Sequence, residues 1–302
     1  MKKAVTAGLL AASLILTGCA DTAQSSAPES VTAPQPENNE KHLVILGDSI
    51  SAGYGMEDPD TQRYGAVLCD MLNADSPDET WHEYNYALAG DDSSDLLYRL
   101  DVGRAVRLPS ADTIIICIGA NNMLGAYTDY LRELLGDRDV MNMTDEELSH
   151  LEEELMEQVQ NDADAEQKLE QGITNGLDRL RTDLEKIYAW IRERNQDADI
   201  YVMNVYNPYA GVTDTLPNID RPMGEFAQEK IDRCNAIISD WEAAHPDLHA
   251  VDLAAAFASW KPVPIIGSTG AETVNGAYLD PHPNAEGQKK IAELLYNSIR
   301  EK

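Results

Sequence analysis

Residues 112–119, Asp-Thr-Ile-Ile-Ile-Cys-Ile-Gly, constrain this chain more than any other stretch. An unbroken β-branched run without polar alternation suits a strand buried on both faces. Such a strand needs helices on either side of its sheet, which predicts strands alternating with helices around a parallel sheet. The rest of the chain supplies them. Residues 42–47, 81–88, 199–205 and 248–253 read as four more strands. Helical spacing of apolar residues marks 63–74, 94–108, 223–244 and 285–300, together with a long face carrying Leu169, Ile173, Leu177, Leu180, Leu184, Ile187 and Ile191. The expected fold is α/β, with a five-stranded parallel sheet covered on both faces.

Three strands end in sharp glycine corners, at Gly47, Gly90 and Gly119. In a parallel sheet, strand ends of this kind lie along one rim, where ligands bind. The first corner continues Gly47-Asp48-Ser49-Ile50, placing a serine where a helix can begin and where negative charge is favoured. A nucleophilic serine needs a base, a group that orients the base, and donors for the oxyanion. Of the six histidines, only His282 sits where a base is wanted. It stands between Pro281 and Pro283, with Asp280 two residues before it, just ahead of the last helix. Residues two apart in an extended segment project to the same side, so Asp280 is in reach of the imidazole. The side-chain amide of Asn121 and the backbone N–H groups of Gly90 and Ser49 can converge on one oxygen.

Ser49, Gly90, Asn121 and His282, in that order and in these strand contexts, resemble the SGNH (GDSL) hydrolase superfamily. The resemblance spans the chain from about His42 to the last helix. It implies a flavodoxin-like three-layer α/β/α sandwich and an esterase or lipase. In it Ser49 is the nucleophile, His282 the base, Asp280 the orienting acid, and Ser49, Gly90 and Asn121 the oxyanion donors. It implies no cofactor and no metal. Two positions depart from the family pattern. Asn122 replaces the usual aspartate, from which only a local structural change is expected, and Asp280 precedes the histidine by two residues where three are usual. No Gly-X-Ser-X-Gly elbow occurs, which argues against an ordinary α/β-hydrolase. The same site would serve a carbohydrate O-deacetylase, or a lysophospholipase or thioesterase with a long apolar acyl groove. A ligand-binding lipoprotein on an inactive hydrolase fold is the remaining class, and the intact serine, asparagine and histidine count against it.

The chain opens Met1-Lys2-Lys3, followed by an apolar run to Leu16 and then Thr17-Gly18-Cys19. This reads as a secretory signal, too short to span a membrane, and Leu-Thr-Gly-Cys resembles a bacterial lipobox. We therefore expect a signal over 1–18, lipidation at Cys19, a flexible linker over 19–41 rich in Ser, Ala, Pro and Glu, and a hydrolase domain over 42–302. That architecture implies an extracytoplasmic protein lipid-anchored to the bacterial cell membrane. With 23 basic and 53 acidic side chains and a formal charge of −30, the chain is expected to repel nucleic acid and anionic lipid head groups, so that membrane contact comes from the anchor. Its expected partners are an acyl ester of a small molecule, glycan or lipid, and the membrane through its anchor. Cys69, Cys117 and Cys234 form neither a paired disulfide pattern nor a zinc pattern. Residues 129–170 hold fifteen acidic and three basic side chains. Within them a capping box at Thr144 precedes an apolar stripe, Leu148, Leu151, Leu155 and Val159. The expectation is an acidic helical insertion that caps the site.

Overall fold

The structure, a computed structural model, describes residues 39–138, 140, 143–215, 221–261, 263–266 and 280–301. The signal, Cys19, nearly all of the linker and most of the Gly-rich loop after Ile266 lie outside the described residues.

The first strand, β1 (Glu40–Gly47), begins two residues before the expected domain boundary and leads through Asp48 into a one-turn helix, α1 (Ser49–Ala52). A short α2 (Pro59–Gln62) and α3 (Tyr64–Asp75) return the chain to β2 (Thr80–Asn85). Helix α4 (Ser93–Asp101) stops well short of the expected residue 108. Gly103, at φ 75°, turns the chain there, and Pro109 sits in a separate 3-10 turn. The β-branched run forms β3 (Thr113–Cys117), buried at every residue. It is followed by α5 (Ala120–Leu135), which the sequence did not announce. Then come α6 (Asp145–Asn161), the long α7 (Ala165–Arg194), β4 (Asp199–Met203), α8 (Met223–Ala244), β5 (Leu248–Val251), α9 (Leu253–Ser259) and α10 (Ala285–Arg300).

All five strands are parallel, in the order β2-β1-β3-β4-β5, which is the flavodoxin-like order. Register aligns Ile45 with Ile115 and Ile115 with Tyr201. Alternate residues then serve two cores. Val44, Leu46, Ile114, Ile116, Ile200 and Val202 face one layer with Leu96 of α4, Leu180 and Leu184 of α7 and Ile238 of α8. Leu43, Ile45, Ile115, Tyr201 and Met203 face the other with Leu68 of α3, Phe257 of α9 and Ile291 and Leu295 of α10. Helices α5 and α7 meet closely at Gly176, where a Cβ would lie 1.8 Å from the Asn122 carbonyl oxygen; only glycine fits there.

Thr144 caps α6 in the expected capping box: Glu147 N–H donates to its hydroxyl at 3.3 Å, and Thr144 N–H donates to the Glu147 carboxylate at 2.7 Å. The α6 stripe packs on the outer side of α5, with Leu151 and Leu155 against Leu131, and Val159 in a cluster with Tyr130 and Leu169.

Candidate active site

Asp48 is the N-cap of α1: its carboxylate accepts the Ile50 N–H at 3.0 Å. Ser49 is therefore the first residue of a helix, and its own N–H has no intrahelical acceptor. Burial pushes the Asp48 carboxyl up to about 6, against the opposing effect of the Ile50 N–H. Gln288, fully buried on α10, fixes this turn from behind. Its amide donates to the Ile50 carbonyl at 3.0 Å, while its carbonyl accepts the Tyr64 N–H at 2.9 Å. A glutamine on an amphipathic helix reads as a surface residue, and only the tertiary packing reveals its task. Gln288→Leu should strand both backbone groups, costing about 2–4 kcal/mol and lowering the melting temperature by roughly 5–15 °C. An unchanged melt would show that these bonds add nothing.

The segment before α10 carries the imidazole. Asn284 caps α10, accepting the Gly287 N–H at 2.9 Å and donating to the Ile265 carbonyl at 3.1 Å. Ile266 N–H donates to the His282 carbonyl at 2.9 Å, and the buried Tyr206 hydroxyl donates to the Pro281 carbonyl. The Tyr54 ring lies against the imidazole, with centroids 4.4 Å apart. So held, His282 Nε2 stands 2.8 Å from Ser49 Oγ, and its Nδ1 meets an Asp280 carboxylate oxygen. The His282 backbone N–H donates to the same oxygen at 2.9 Å. Burial raises the Asp280 carboxyl, but the imidazole's hydrogen bond and charge and the backbone N–H outweigh it and hold the group below the usual carboxylate range. Ser49, His282 and Asp280 thus form one hydrogen-bonded chain.

Asn121, 9% exposed, stands in the first turn of α5 and donates one amide hydrogen to the Asp91 carbonyl at 2.9 Å. A primary amide carries two hydrogens, so one is left for another acceptor. Gly90 precedes Asp91 in the turn, at φ 92°, a conformation glycine adopts freely. Asn122 does more than fill its position. Buried at 1% exposure, it accepts the Ser93 N–H at 3.1 Å and donates to Ser93 Oγ at 2.8 Å and to the Gly176 carbonyl at 3.1 Å. An ionised aspartate could not donate to Gly176, so the asparagine joins the start of α4 to α7.

From Ser49 and His282 a cavity of about 180 Å³ extends between α5, α7 and α8. Asp48, Ser49, Asn121 and His282 form its polar end. The rest of the wall is mainly apolar: Met123, Leu124 and Tyr127 on α5, Leu169 and Ile173 on α7, and Met223, Phe226, Ala227 and Ile231 on α8. Gly90 is not among the lining residues, and no described residue of α6 is; the acidic stretch contributes Leu169 from the first turns of α7.

Residues 45–290 match the model of the GDSL-like lipase/acylhydrolase family. The uncharacterised protein YpmR of Bacillus subtilis (strain 168) is 24% identical over 298 residues, covering 95% of this chain and 92% of that protein. Among solved structures, the lipase Lip_vut3 from a goat rumen metagenome superposes with a TM-score of 0.56 at 17% identity, covering 85% of this chain and 97% of that one. A catalytic mutant of Axe2, an acetylxylan esterase from Geobacillus stearothermophilus, superposes with a TM-score of 0.54 at 14% identity, covering 86% and 94%. The chain belongs to the GDSL-like lipase/acylhydrolase family and is a hydrolase of ester bonds.

Proposed function

We propose that this protein is a serine esterase or lipase that prefers esters of extended acyl chains, tethered outside the cell by a lipid at Cys19. The observation that carries the acyl preference is the apolar cavity leading away from Ser49 between α5, α7 and α8. An acetyl group would leave most of that wall unfilled, whereas each buried methylene contributes about 0.8 kcal/mol. The lysophospholipase or thioesterase reading shares this preference; deacetylation, the activity named for the structurally similar Axe2, is the second reading.

In this mechanism His282 Nε2 takes the Ser49 Oγ proton as the oxygen attacks the acyl carbon. The Asp280 carboxylate holds the imidazole by Nδ1–H and stabilises the imidazolium that forms. The oxyanion is received by the Ser49 N–H, the free amide hydrogen of Asn121 and the Gly90 N–H. His282 then gives its proton to the leaving alcohol. Water activated by the same nitrogen releases the acyl group and restores Ser49. Asn121→Ala should lower kcat about 10²–10³-fold with KM little changed, the range for one oxyanion donor; a loss confined to KM would make Asn121 a substrate-binding residue instead.

A series of chromogenic esters from acetyl to long-chain acyl tests the substrate reading. Activity should rise with chain length, and Ala227→Leu, which fills part of the cavity, should lower kcat/KM at least roughly ten-fold for long esters. The acetyl ester should stay within a few-fold. A preference for acetyl esters unaffected by Ala227→Leu would favour the deacetylase. On this reading α6 braces the cavity wall rather than covering the site, since its Leu151, Leu155 and Val159 pack with residues of α5 and no described residue of α6 lines the cavity.

A further inference from the structure

Charge is not spread evenly over this acidic chain. Among the described residues, eleven arginines have a carboxylate within 4.0 Å. The two that have none, Arg104 and Arg107, are three residues apart and exposed. Beside them stand Tyr98, Val102 and Val106, exposed by 66%, 50% and 72%, three of the five large apolar side chains that are exposed among the described residues. The local backbone holds them outward. Val102 N–H bonds to the Tyr98 carbonyl, which sets these two on one face, while Ala105 and Leu108 are buried and pin the loop between them. The patch reaches the point where the preceding chain joins the fold. The Arg107 guanidinium lies 5.3 Å from the Tyr84 ring centre, and that ring meets His42, near the start of β1, at 5.2 Å.

We propose that this patch docks on the surface of an anionic phospholipid bilayer. The chemistry matches: arginine pairs with lipid phosphate, and tyrosine and valine seat at the boundary between head groups and acyl chains. Asp95 and Asp101 are exposed on the same helix and weaken the contact. A weak contact suffices, because the inference rests on the lipid anchor at Cys19. About twenty residues separate Cys19 from β1, and a coil of that length has an end-to-end distance of roughly 25 Å, which would keep the patch at millimolar effective concentration near the membrane. A protein partner would need about 1,000 Å² of complementary surface, more than five side chains offer. The remaining acidic surface is repelled by anionic head groups, so the patch decides which flank turns towards the lipid. Ser49 lies seven residues beyond His42 along the strand direction, roughly 23 Å away, so docking leaves the cavity clear of the bilayer.

The test is hydrogen exchange on the full lipid-modified chain in three environments: vesicles with about a third phosphatidylglycerol, vesicles of phosphatidylcholine alone, and detergent. Amides of 98–108 should exchange at least roughly five-fold more slowly on the anionic vesicles than in detergent, with little slowing on the neutral ones. Arg104→Glu/Arg107→Glu should restore the detergent rate, and Val102→Ser/Val106→Ser should do so in part. Both should hydrolyse a soluble ester within two-fold of wild type, which reports an intact fold and leaves the hydrolase assignment to its own assay. Equal exchange in all three environments, slowing independent of phosphatidylglycerol, or slowing in detergent that grows with protein concentration and so reports a second copy, would each overturn the proposal. A chain that does not float with vesicles would overturn the anchor and the docking together.

Discussion

Ser49→Ala should lower ester hydrolysis about 10⁵–10⁶-fold and abolish labelling by a fluorophosphonate, while the protein melts within a few degrees of wild type. The magnitude follows from how serine sites behave when their nucleophile is removed: the remaining oxyanion donors and binding contacts leave only a small residue of catalysis. The structural cost is small for reasons visible around the side chain. Ser49 Oγ is paired with His282 Nε2, and one such bond is worth about 1 kcal/mol. The turn itself is held by other groups, the Asp48 carboxylate on the Ile50 N–H and the Gln288 amide on the Ile50 carbonyl. Alanine is moreover a good helix former. Retained labelling would move the nucleophile to another residue. A large drop in melting temperature would instead make Ser49 part of the scaffold of α1.

What was legible in the sequence is what local chemistry alone decides. The strands at 42–47 and 112–119 could be read because a continuous apolar, β-branched run has few other uses. Helices α8 and α10 show their bounds in the sequence, since both have a regular apolar face. Helix α5 was not legible. It begins at Gly119-Ala120-Asn121-Asn122, residues that favour turns, and Gly119 at φ 125° offers no side-chain cap. Its stability comes from packing between α6 and α7, and no local window records that. The candidate site divides the same way. Ser49, Asn121 and His282 could be placed from glycine corners and the proline-flanked histidine. The partners that hold them could not. Gln288 reaches Tyr64 across 224 residues, and Asn122 reaches Gly176 across 54. Nor could the cavity be read in advance, since its walls come from three helices of which one was unread.

Asp280→Asn should lower kcat by at least about 10²-fold, and by up to about 10⁴-fold, the loss seen when the orienting carboxylate of a serine protease is replaced by its amide. The geometry gives the reason. Asp280 accepts from both the ring Nδ1 and the backbone N–H of His282. Both bonds fall on the same oxygen, so an amide keeps both only with its oxygen in that place; with its NH₂ there it faces Nδ1 with a donor. A donor there favours the imidazole tautomer with the proton on Nε2, the nitrogen that must take the proton of Ser49. The charge that would stabilise the imidazolium is lost as well. The shape of the segment is retained, because the Tyr206 hydroxyl still holds the Pro281 carbonyl and Asn284 still caps α10. Melting temperature at neutral pH should therefore fall by only a few degrees. The pH dependence separates charge from shape. The folded Asp280 carboxyl lies below its ordinary value, so its stabilisation is present above about pH 4 and is lost as pH falls through the folded value. The stability gap between wild type and the amide variant should accordingly close on acidification, as thermal melts between about pH 3 and 7 would show. A kcat within a few-fold of wild type, with that gap still present, would make Asp280 a structural partner only and leave Ser49 and His282 working as a dyad.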